Sequence, residues 1–484
     1  MLLNVNTDII SFFNAVVLLF AILIMVSYLI LALISITDLS KYLKENIFIN
    51  YNVLMASEIA PPLSVIAPAY NEGKTIKENV HSLLTLNYNN YEVIVVNDGS
   101  IDASLEILID AFSLQEIKYN YNERIKSQQV KAVYKSKNPA FSKLKVVDKN
   151  HGGKSDSLNV GINISANPYL ICIDADCVLS KDALLILAKP FLEKSDSLVI
   201  ATGGVVRIAN SCLIKNGSLV KINVPRKLLP RVQVIEYLRA FLLSRMAWSK
   251  LDGLLIISGA FGMFDKEIAI KAGGYNIKTV GEDMELVVRM RRYMIEAKQK
   301  YKVTYIPNPV CWTQAPTSFG GLRKQRSRWT RGTMETLWLH RKMLFNPRYK
   351  ILGLLSVPFW FVFEYLSPII EFTGLLITVF LAIFGIISWK FFLLLLLFVY
   401  FFAIMFSVLA LLAEEYTYHQ YHKFSDINKL LLGIIIEPFY FHLFTVYAAF
   451  VGNIQKIGRR KGWGEMTRAG FDKEKEDKIL LKPL

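Results

Sequence analysis

The sequence predicts an α/β domain with a mostly parallel sheet, joined to membrane-spanning helices. Short apolar runs alternate with helix-like stretches through the centre of the chain, an order typical of parallel sheets covered on both faces. The 484-residue chain is 53% hydrophobic, with a mean hydropathy of +0.34, whereas soluble domains usually contain about 45–50% apolar residues. The excess lies in long charge-free runs, which predict membrane helices.

The first membrane helix is predicted from residues 9–37, which carry no charge. This run is long enough for one tilted span. A cleaved signal peptide is the competing interpretation, but the run is too long for one and no small-residue cleavage site follows it. We therefore expect a permanent N-terminal span.

Three apolar stretches near the end of the chain are interpreted as about four further spans. Residues 391–413 and 430–455 are predicted to be single spans, and residues 351–388 are predicted to form a hairpin that turns at Ser367-Pro368. The alternative is three spans, with residues 351–366 lying along the membrane surface. The predicted boundaries are 1–40 (first span), 41–337 (central domain), 338–350 (interfacial helix), 351–455 (later spans) and 456–484 (basic tail).

Lysines and arginines flank the predicted spans at residues 41–44, 341–350 and 456–461. Such residues are enriched on the cytoplasmic side of a membrane. The central domain and the tail are therefore both predicted to be cytoplasmic, in a multi-pass plasma-membrane protein. This arrangement requires an even number of spans after the central domain.

Three acidic residues interrupt the apolar segments, Glu364, Glu371 and Glu437. Ionisable groups in such segments usually face a protein interior or a water-filled path rather than lipid. At least one of them is therefore predicted to line a polar route through the membrane region, with snorkelling to the interface as the alternative.

The central domain is predicted as an alternation of strands and helices. The predicted strands are 63–67, 93–96, 145–147, 169–173 and 198–202. The predicted helices are 74–84, 102–112, 154–164 and 181–191. Residues 113–145 are rich in Lys, Asn, Gln and Tyr and are predicted to be a surface insertion. Ligands of such sheets bind outside the carboxyl ends of the strands, where the polar motifs of this sequence fall.

The first strands end in polar turns. The first strand leads into a turn that ends in Glu72, and the second leads into Asn-Asp-Gly-Ser at residues 97–100. Asp98 would accept hydrogen bonds from a uracil or a ribose, or would serve as a plain N-cap or turn residue. A third turn, His-Gly-Gly-Lys at residues 151–154, opens a helix, and Lys154 would reach a phosphate there.

The strand at 169–173 gives a sharper signal because it ends abruptly in Asp-Ala-Asp. Asp174 and Asp176 would repel each other at the mouth of a parallel sheet unless a cation lies between them. Mg²⁺ or Mn²⁺ meets that requirement when a diphosphate supplies further oxygens. A solvated turn with an N-cap aspartate is the alternative.

A second acidic pair, Glu282 and Asp283, follows a glycine and precedes an apolar-periodic helix. The helix dipole favours a carboxylate at this position, so capping explains one of the two acids. The other acid is left to act as a base toward a sugar hydroxyl.

The most informative stretch is residues 321–332, which contains Gln325, Arg328 and Trp329. On a helix these positions share one face, so an amide, a guanidinium and an indole would point at the same place. A guanidinium binds a diphosphate through two hydrogen bonds, and an indole offers a flat apolar surface to a sugar ring. The alternative is a basic helix lying on anionic lipid, and the acidic motifs upstream argue against it.

In this order, the motifs resemble those of the family-2 glycosyltransferases, and specifically of the processive membrane synthases that make cellulose, hyaluronan, chitin or poly-N-acetylglucosamine. The resemblance covers about residues 61–332. It implies a GT-A fold, an inverting reaction, a UDP-sugar donor and a divalent cation, Mg²⁺ or Mn²⁺.

The resemblance also implies roles for individual residues. Asp174 and Asp176 would hold the metal, with Asp176 the more direct ligand, and Asp283 would be the general base on the acceptor hydroxyl. The residues that would bind the substrates are Glu72, Asp98, Lys154, Asp174, Glu282, Gln325, Arg328 and Trp329.

We therefore expect a processive enzyme that polymerises UDP-glucose or UDP-N-acetylglucosamine into a β-linked polysaccharide and exports it. The alternatives are transfer of a single sugar to a lipid-linked acceptor, or a membrane scaffold with an inactive transferase domain. The net charge of +16 would also suit a nucleic acid. The basic residues cluster at the span ends and near Trp329 instead, so the expected partners are the lipid bilayer, the donor and the growing glycan. The sequence does not identify export or accessory subunits.

Overall fold

The computed structural model describes residues 2–46, 60–174, 177–193, 195–215 and 217–457. The chain begins with one long helix, α1 (Leu2–Asn46). The second half of α1 packs on the central domain, where the Ser35 hydroxyl donates a hydrogen bond to the Leu242 carbonyl and Tyr42 Oη donates to Asn308 Oδ1 at 2.6 Å. The first span is therefore docked on the domain that follows it.

The central domain is built on a ten-stranded mixed sheet with the order β3-β4-β5-β2-β1-β6-β11-β8-β12-β7. The strands from β5 to β6 run parallel to one another, and β11 is antiparallel to both of its neighbours. A separate hairpin is formed by β9 and β10. The strands are β1 (Leu63–Ala69), β2 (Tyr91–Asn97), β3 (Leu114–Ile117), β4 (Val130–Ser136), β5 (Leu144–Lys149), β6 (Tyr169–Ile173), β7 (Val178–Leu179), β8 (Leu198–Ile208), β9 (Leu213–Lys215), β10 (Ser218–Lys221), β11 (Phe261–Asp265) and β12 (Tyr301–Thr313).

Helices cover the sheet and continue into the apolar C-terminal region. Those of the central domain are α2 (Ile76–Leu84), α3 (Ser104–Phe112), α4 (Lys154–Ile164), α5 (Ala183–Leu192), α6 (Leu228–Leu238), α7 (Met246–Lys250), α8 (Lys266–Lys271), α9 (Glu282–Glu296) and α10 (Phe319–Leu339). The last three are α11 (Leu352–Ile383), α12 (Trp389–Thr417) and α13 (Phe424–Lys456).

All five predicted strands and all four predicted helices of the central domain are present. The strand at 169–173 and the helix at 154–164 have the predicted bounds, while β8 extends six residues beyond its predicted end. The clearest signals came from fully buried strands such as β2, whose apolar run is continuous because helices cover both faces.

The prediction of a surface insertion at residues 113–145 was wrong. This stretch contributes two strands to the sheet: β4 pairs antiparallel with β5, and β3 pairs antiparallel with β4. Only Val133 of β4 is fully buried, and lysines occupy its outward positions. Because these lysines interrupt the apolar positions of β4, a prediction based on apolar runs missed the strand.

Close packing of α4 on the sheet fixes the position of Lys154 at the N-terminus of that helix. Gly161 of α4 lies against Ile66 of β1, and a Cβ added at this glycine would be 2.3 Å from a methyl carbon of Ile66. A larger residue would therefore push the helix away from β1. The helix instead begins directly at the carboxyl end of the parallel strands.

Two predictions for the membrane region need correction. The chain is helical without a break from Leu352 to Ile383, so the hairpin predicted at Ser367-Pro368 is not formed, and the described residues contain three long apolar helices after the central domain. A wide π-helical turn precedes Pro368 and accommodates its ring. Residues 338–350 form the end of α10 and two 3₁₀ turns rather than an interfacial helix. Residues 458–484, most of the predicted tail, lie outside the described residues.

Candidate active site

The loop at residues 151–154 is held by the carboxylate of Asp98, which is buried at the carboxyl end of β2. Its two oxygens accept hydrogen bonds from the backbone N–H groups of Gly152 at 2.9 Å and Gly153 at 2.8 Å, and they form an ion pair with the buried Lys149 ammonium. Gly99 follows in a left-handed conformation, with φ of 65°. Asp98 thus organises the loop that opens α4, besides lining the cavity described below.

Lys154, the first residue of α4, is the centre of a partly buried charge cluster. Its ammonium lies 2.5 Å from a carboxylate oxygen of Asp174 and 3.3 Å from one of Glu282. Burial alone would lower the pKa of Lys154, but the charges of Asp174, Glu282 and Asp283 outweigh it and raise the pKa above the ordinary value. The lysine is therefore a fixed positive charge between the two acidic motifs.

Glu282 is almost completely buried at the start of α9. Burial raises its pKa to about 7, and Asp283 acts in the same direction, while Lys154 and Arg328 oppose the shift. Glu282 therefore changes its charge near neutral pH, although an exposed glutamate would be ionised there.

Asp283 is oriented by two backbone N–H groups. Its Oδ2 accepts a hydrogen bond from Gly259 at 2.9 Å, and its Oδ1 accepts one from Met284 at 2.8 Å. A Cβ added at Gly259 would lie 3.2 Å from both Asp283 Oδ2 and the Lys154 ammonium. The small-residue segment at 258–262 therefore brings backbone close to both groups. A carboxylate has lone pairs left after two such bonds, and Asp283 lines the cavity described below.

A glycine-to-glycine contact joins the acidic start of α9 to α10, the helix that carries Gln325, Arg328 and Trp329. A Cβ added at Gly332 would lie 2.7 Å from Gly281 Cα, so only glycine allows this approach. The carboxylate of Glu335 on α10 reinforces it by accepting hydrogen bonds from Thr279 Oγ1 and Val280 N.

The three side chains of the α10 motif line one cavity, as their spacing predicts. Trp329 is 42% exposed, and the Arg326 guanidinium lies 4.2 Å from its ring centroid. Gln325 has a buried Oε1 without a hydrogen-bond partner. The positive charge of Arg328 lowers the pKa of the Glu282 carboxyl. An aromatic face, an amide and a guanidinium thus lie along the same part of the cavity wall.

A single cavity of about 2960 Å³ joins these groups to the apolar helices. It begins at the carboxyl ends of the strands, passes α10 and continues between α1, α11, α12 and α13. Its wall includes every predicted site residue that the structure describes: Glu72, Asp98, Lys154, Asp174, Glu282, Asp283, Gln325, Arg328 and Trp329. Asp176 lies outside the described residues.

The part of the cavity between the apolar helices is lined by polar pairs. Glu364 accepts a hydrogen bond from Tyr28 Oη at 2.8 Å, Glu371 pairs with His442 at 2.8 Å, and Glu437 pairs with the Arg239 guanidinium at 3.0 Å. The sequence predicted that at least one of these acids lines a polar route, and all three line the cavity. These pairs satisfy the carboxylates within the protein, so the acids do not need to reach the headgroup level.

Of the two predicted metal ligands, the structure describes Asp174, whose carboxylate is a hard oxygen ligand of the kind that Mg²⁺ or Mn²⁺ takes. Asp174 presents a carboxylate that already pairs with one cation, the Lys154 ammonium. The described residues contain no cluster of three or more His, Cys, Asp or Glu side chains suited to a metal. Diphosphate oxygens and Asp176 would have to complete the donor set, as expected for a cation that arrives with a nucleotide.

Two features of the site were not predicted from the sequence. The Tyr70 and His151 rings lie 4.7 Å apart beside Asp98, and Arg326, whose guanidinium packs on the Trp329 ring, forms an ion pair with Glu236 at 2.6 Å. The first pair joins two loops distant in sequence, so no local pattern could indicate it. The basic run around Arg326 did signal charge, but the partner on α6 depends on the fold.

Comparison with known proteins shows similarity over the residues that form this site. Residues 61–332 match the family described as glycosyltransferase like family 2. The chain is 28% identical over 298 residues to a poly-β-1,6-N-acetyl-D-glucosamine synthase of Staphylococcus epidermidis, covering 61% of this chain and 60% of that protein. It is 28% identical over 275 residues to the synthase of the same name from Staphylococcus aureus, covering 57% and 55%. The chain thus spans about 60% of the length of these curated relatives.

Among solved structures, a mannosyltransferase of Pyrobaculum calidifontis in complex with GDP-Man and Mn²⁺ is 16% identical. The alignment covers 86% of this chain and 99% of that one, with a TM-score of 0.48. The family match covers more than half of this chain, including each motif discussed above. The resemblance seen in the sequence is therefore confirmed: the chain belongs to the family-2 glycosyltransferases, and its central domain has the GT-A fold.

Proposed function

We propose that this chain polymerises a UDP-activated hexose into a β-linked polysaccharide and passes the product through the membrane, with its catalytic domain in the cytoplasm. The observation that carries the proposal is the continuous cavity from Asp174 and Asp283, past Trp329, to the apolar helices. Transfer of one sugar to a lipid carrier needs no such route. The relatives named as poly-β-1,6-N-acetyl-D-glucosamine synthases make UDP-N-acetylglucosamine the first candidate donor, and UDP-glucose the second.

Asp174 and Asp176 would hold Mg²⁺ or Mn²⁺ together with the donor diphosphate. A bound divalent cation would neutralise the negative charge that grows on the leaving UDP. Lys154 and Arg328 supply positive charge to the same site, because both lower the pKa of Glu282. Arg328 would bind the diphosphate, and Asp98 would orient the nucleotide through the loop that it holds.

Asp283 would act as the general base. Its carboxylate is oriented by Gly259 and Met284 and would accept the proton of the acceptor hydroxyl. The freed oxygen would attack the anomeric carbon on the face opposite the diphosphate. The new glycosidic bond would form as the bond to UDP breaks, so the configuration at that carbon would invert.

Trp329 would hold the terminal sugar of the acceptor. Hydrogen bonds alone hold a sugar weakly in water, because water competes for each hydroxyl. The exposed part of the indole would bury the apolar face of the ring, with the Gln325 side chain beside it in the cavity wall. Sugars added earlier would then lie along the cavity beside Glu364, Glu371 and Glu437.

A direct test supplies purified protein with individual UDP-sugars and Mg²⁺ or Mn²⁺, followed by digestion of the product with linkage-specific glycosidases. The proposal predicts a long product from one UDP-sugar that a β-specific hydrolase degrades. Sugar found only on an organic-soluble lipid would favour the single-transfer alternative. Absence of any transfer with every donor would contradict both enzyme functions.

A further inference from the structure

The last apolar helix, α13, has the length and composition of a membrane span but an unusual packing environment. A third of its most apolar window is buried within the protein, against 6% for α11 and 11% for α12. At about 1.5 Å per residue, its 33 residues measure roughly 50 Å, more than the ~30 Å core of a bilayer. The positions of the two ends of α13 therefore decide whether this helix crosses the membrane.

The second half of α13 runs beside α10 of the catalytic domain. A Cβ added at Gly452 would lie 2.7 Å from the Ser327 carbonyl oxygen, and the Ser327 hydroxyl donates a hydrogen bond to the Ala448 carbonyl at 2.7 Å. At the end of the helix, the Lys456 ammonium lies 2.5 Å from a carboxylate oxygen of Glu335. This end of α13 is thus fixed to the helix that carries Trp329.

The first half of α13 packs on α6, another helix of the catalytic domain. A Cβ added at Gly433 would lie 3.1 Å from a methyl carbon of Ile235. One helical turn later, Glu437 is buried in an ion pair with Arg239, which directly follows α6. Just before α13, at the end of α12, Glu414 forms a buried ion pair with Arg207 of β8. The chain is therefore at the catalytic domain when α13 begins.

A domain on one side of a bilayer cannot contact both ends of a helix that crosses it. The contacts at Gly433 and Lys456 are separated by roughly 35 Å of helix, and both are made to the same folded unit. We infer that α13 does not cross the membrane but lies along its cytoplasmic surface, between the catalytic domain and the lipid. The inference rests on the proposed membrane location of the protein and not on the donor or the polymer.

The outward face of α13 fits a lipid surface as its partner. Its exposed side chains are apolar for most of its length, including Leu432, Ile435, Ile436, Tyr447 and Ile454. The opposite face is the one that packs on α6 and α10. Lys423 and Lys429 stand at the start of the helix, where they suit anionic headgroups.

This arrangement removes a conflict in the topology. Three crossing helices after the catalytic domain would carry the basic segment from Lys456 onward to the side opposite the basic residues at 341–350, against the charge rule for cytoplasmic segments. With α13 on the surface, only α11 and α12 cross, and both basic segments face the cytoplasm. Two crossings also give the even number expected from the sequence.

The position of α13 can be tested with single cysteines introduced at its two ends, Ser425→Cys and Gln455→Cys, in the full-length protein. A membrane-impermeant maleimide is applied to right-side-out and to inverted vesicles. Gln299→Cys, in the exposed turn between α9 and β12, reports the catalytic side, and Ser388→Cys, in the loop between α11 and α12, reports the opposite side. Protein without an added cysteine measures labelling of the native thiols, and labelling in detergent shows that each new thiol is reactive.

We expect Ser425→Cys and Gln455→Cys to label from the same side as Gln299→Cys, with Ser388→Cys labelling from the other. Labelling of the two α13 positions from opposite sides would overturn the inference, whatever polymer the enzyme makes. If the membrane location itself were wrong, Ser388→Cys and Gln299→Cys would label equally in both kinds of vesicle. The two failures are therefore distinguishable.

Discussion

Replacing Trp329 by alanine should shorten the polymer without stopping donor turnover. The residue is 42% exposed, which for a ring of up to ~250 Å² leaves roughly 100 Å² open to the cavity. A sugar that covers half of this area would gain about 1.3 kcal/mol at ~25 cal/mol per Å². Loss of that contact corresponds to an approximately tenfold faster release of the acceptor. Mean chain length is the ratio of addition to release, so it should fall about tenfold.

The assay separates products by size after reaction of wild type and Trp329→Ala with the active UDP-sugar, while released UDP is measured in parallel. Trp338→Ala is a matched control, because Trp338 is on the same helix and is 67% exposed but does not line the cavity. Trp329→Phe should retain most of the length. Unchanged polymer length in a well-folded Trp329→Ala protein would refute the acceptor role, as would an equal effect of Trp338→Ala.

Four further predictions follow from the site. Asp283→Asn should keep UDP-sugar binding by calorimetry while turnover falls at least ~10²-fold; near-normal turnover would place the base elsewhere. EDTA or Asp174→Asn should abolish transfer, and full activity in both cases would exclude the metal site. Burial raises the pKa of Glu282 to about 7 from its ordinary 4.5, so its contribution to the free energy of unfolding is fully present below pH 4.5 and is lost as pH rises through 7. Denaturant titrations should therefore show a steeper fall in unfolding free energy between pH 4.5 and 7 for wild type than for Glu282→Gln. Parallel curves for the two proteins would show that Glu282 is not destabilised by ionisation. Gly332→Ala should lower the unfolding free energy by ~1–3 kcal/mol through its clash with Gly281, whereas Gly320→Ala on the same helix, with open space around it, should not; equal effects would show that the contact is unimportant.

The catalytic domain could be predicted well from the sequence because its signals are local. Fully buried parallel strands give continuous apolar runs, and the strand rule then brings Asp98, Asp174 and Lys154 to one edge. The face shared by Gln325, Arg328 and Trp329 follows from helix geometry alone. The contacts among these residues could not be predicted, since the pairing of Lys154 with both Asp174 and Glu282 depends on how three distant segments pack.

The membrane region was harder to predict for a physical reason. An apolar helix that crosses a bilayer and one that lies between lipid and protein have similar compositions, and only their packing separates them. For α13 the deciding contacts are long-range, to Ser327 and Ile235. Proline at 368 suggested a turn, but a π-helical turn before it keeps α11 continuous. Local sequence carries neither kind of information.

The central claim is that the glycan is polymerised in the same cavity through which it leaves the catalytic domain and passes the membrane. Its most direct test uses protein reconstituted in sealed vesicles with the catalytic domain outside, supplied externally with radiolabelled UDP-N-acetylglucosamine, or UDP-glucose in parallel, and a divalent cation. A glycan hydrolase that cannot enter the vesicles is then added. We expect polymer that resists the hydrolase until detergent opens the vesicles. Polymer of the same length that is fully digested without detergent would contradict passage through the cavity.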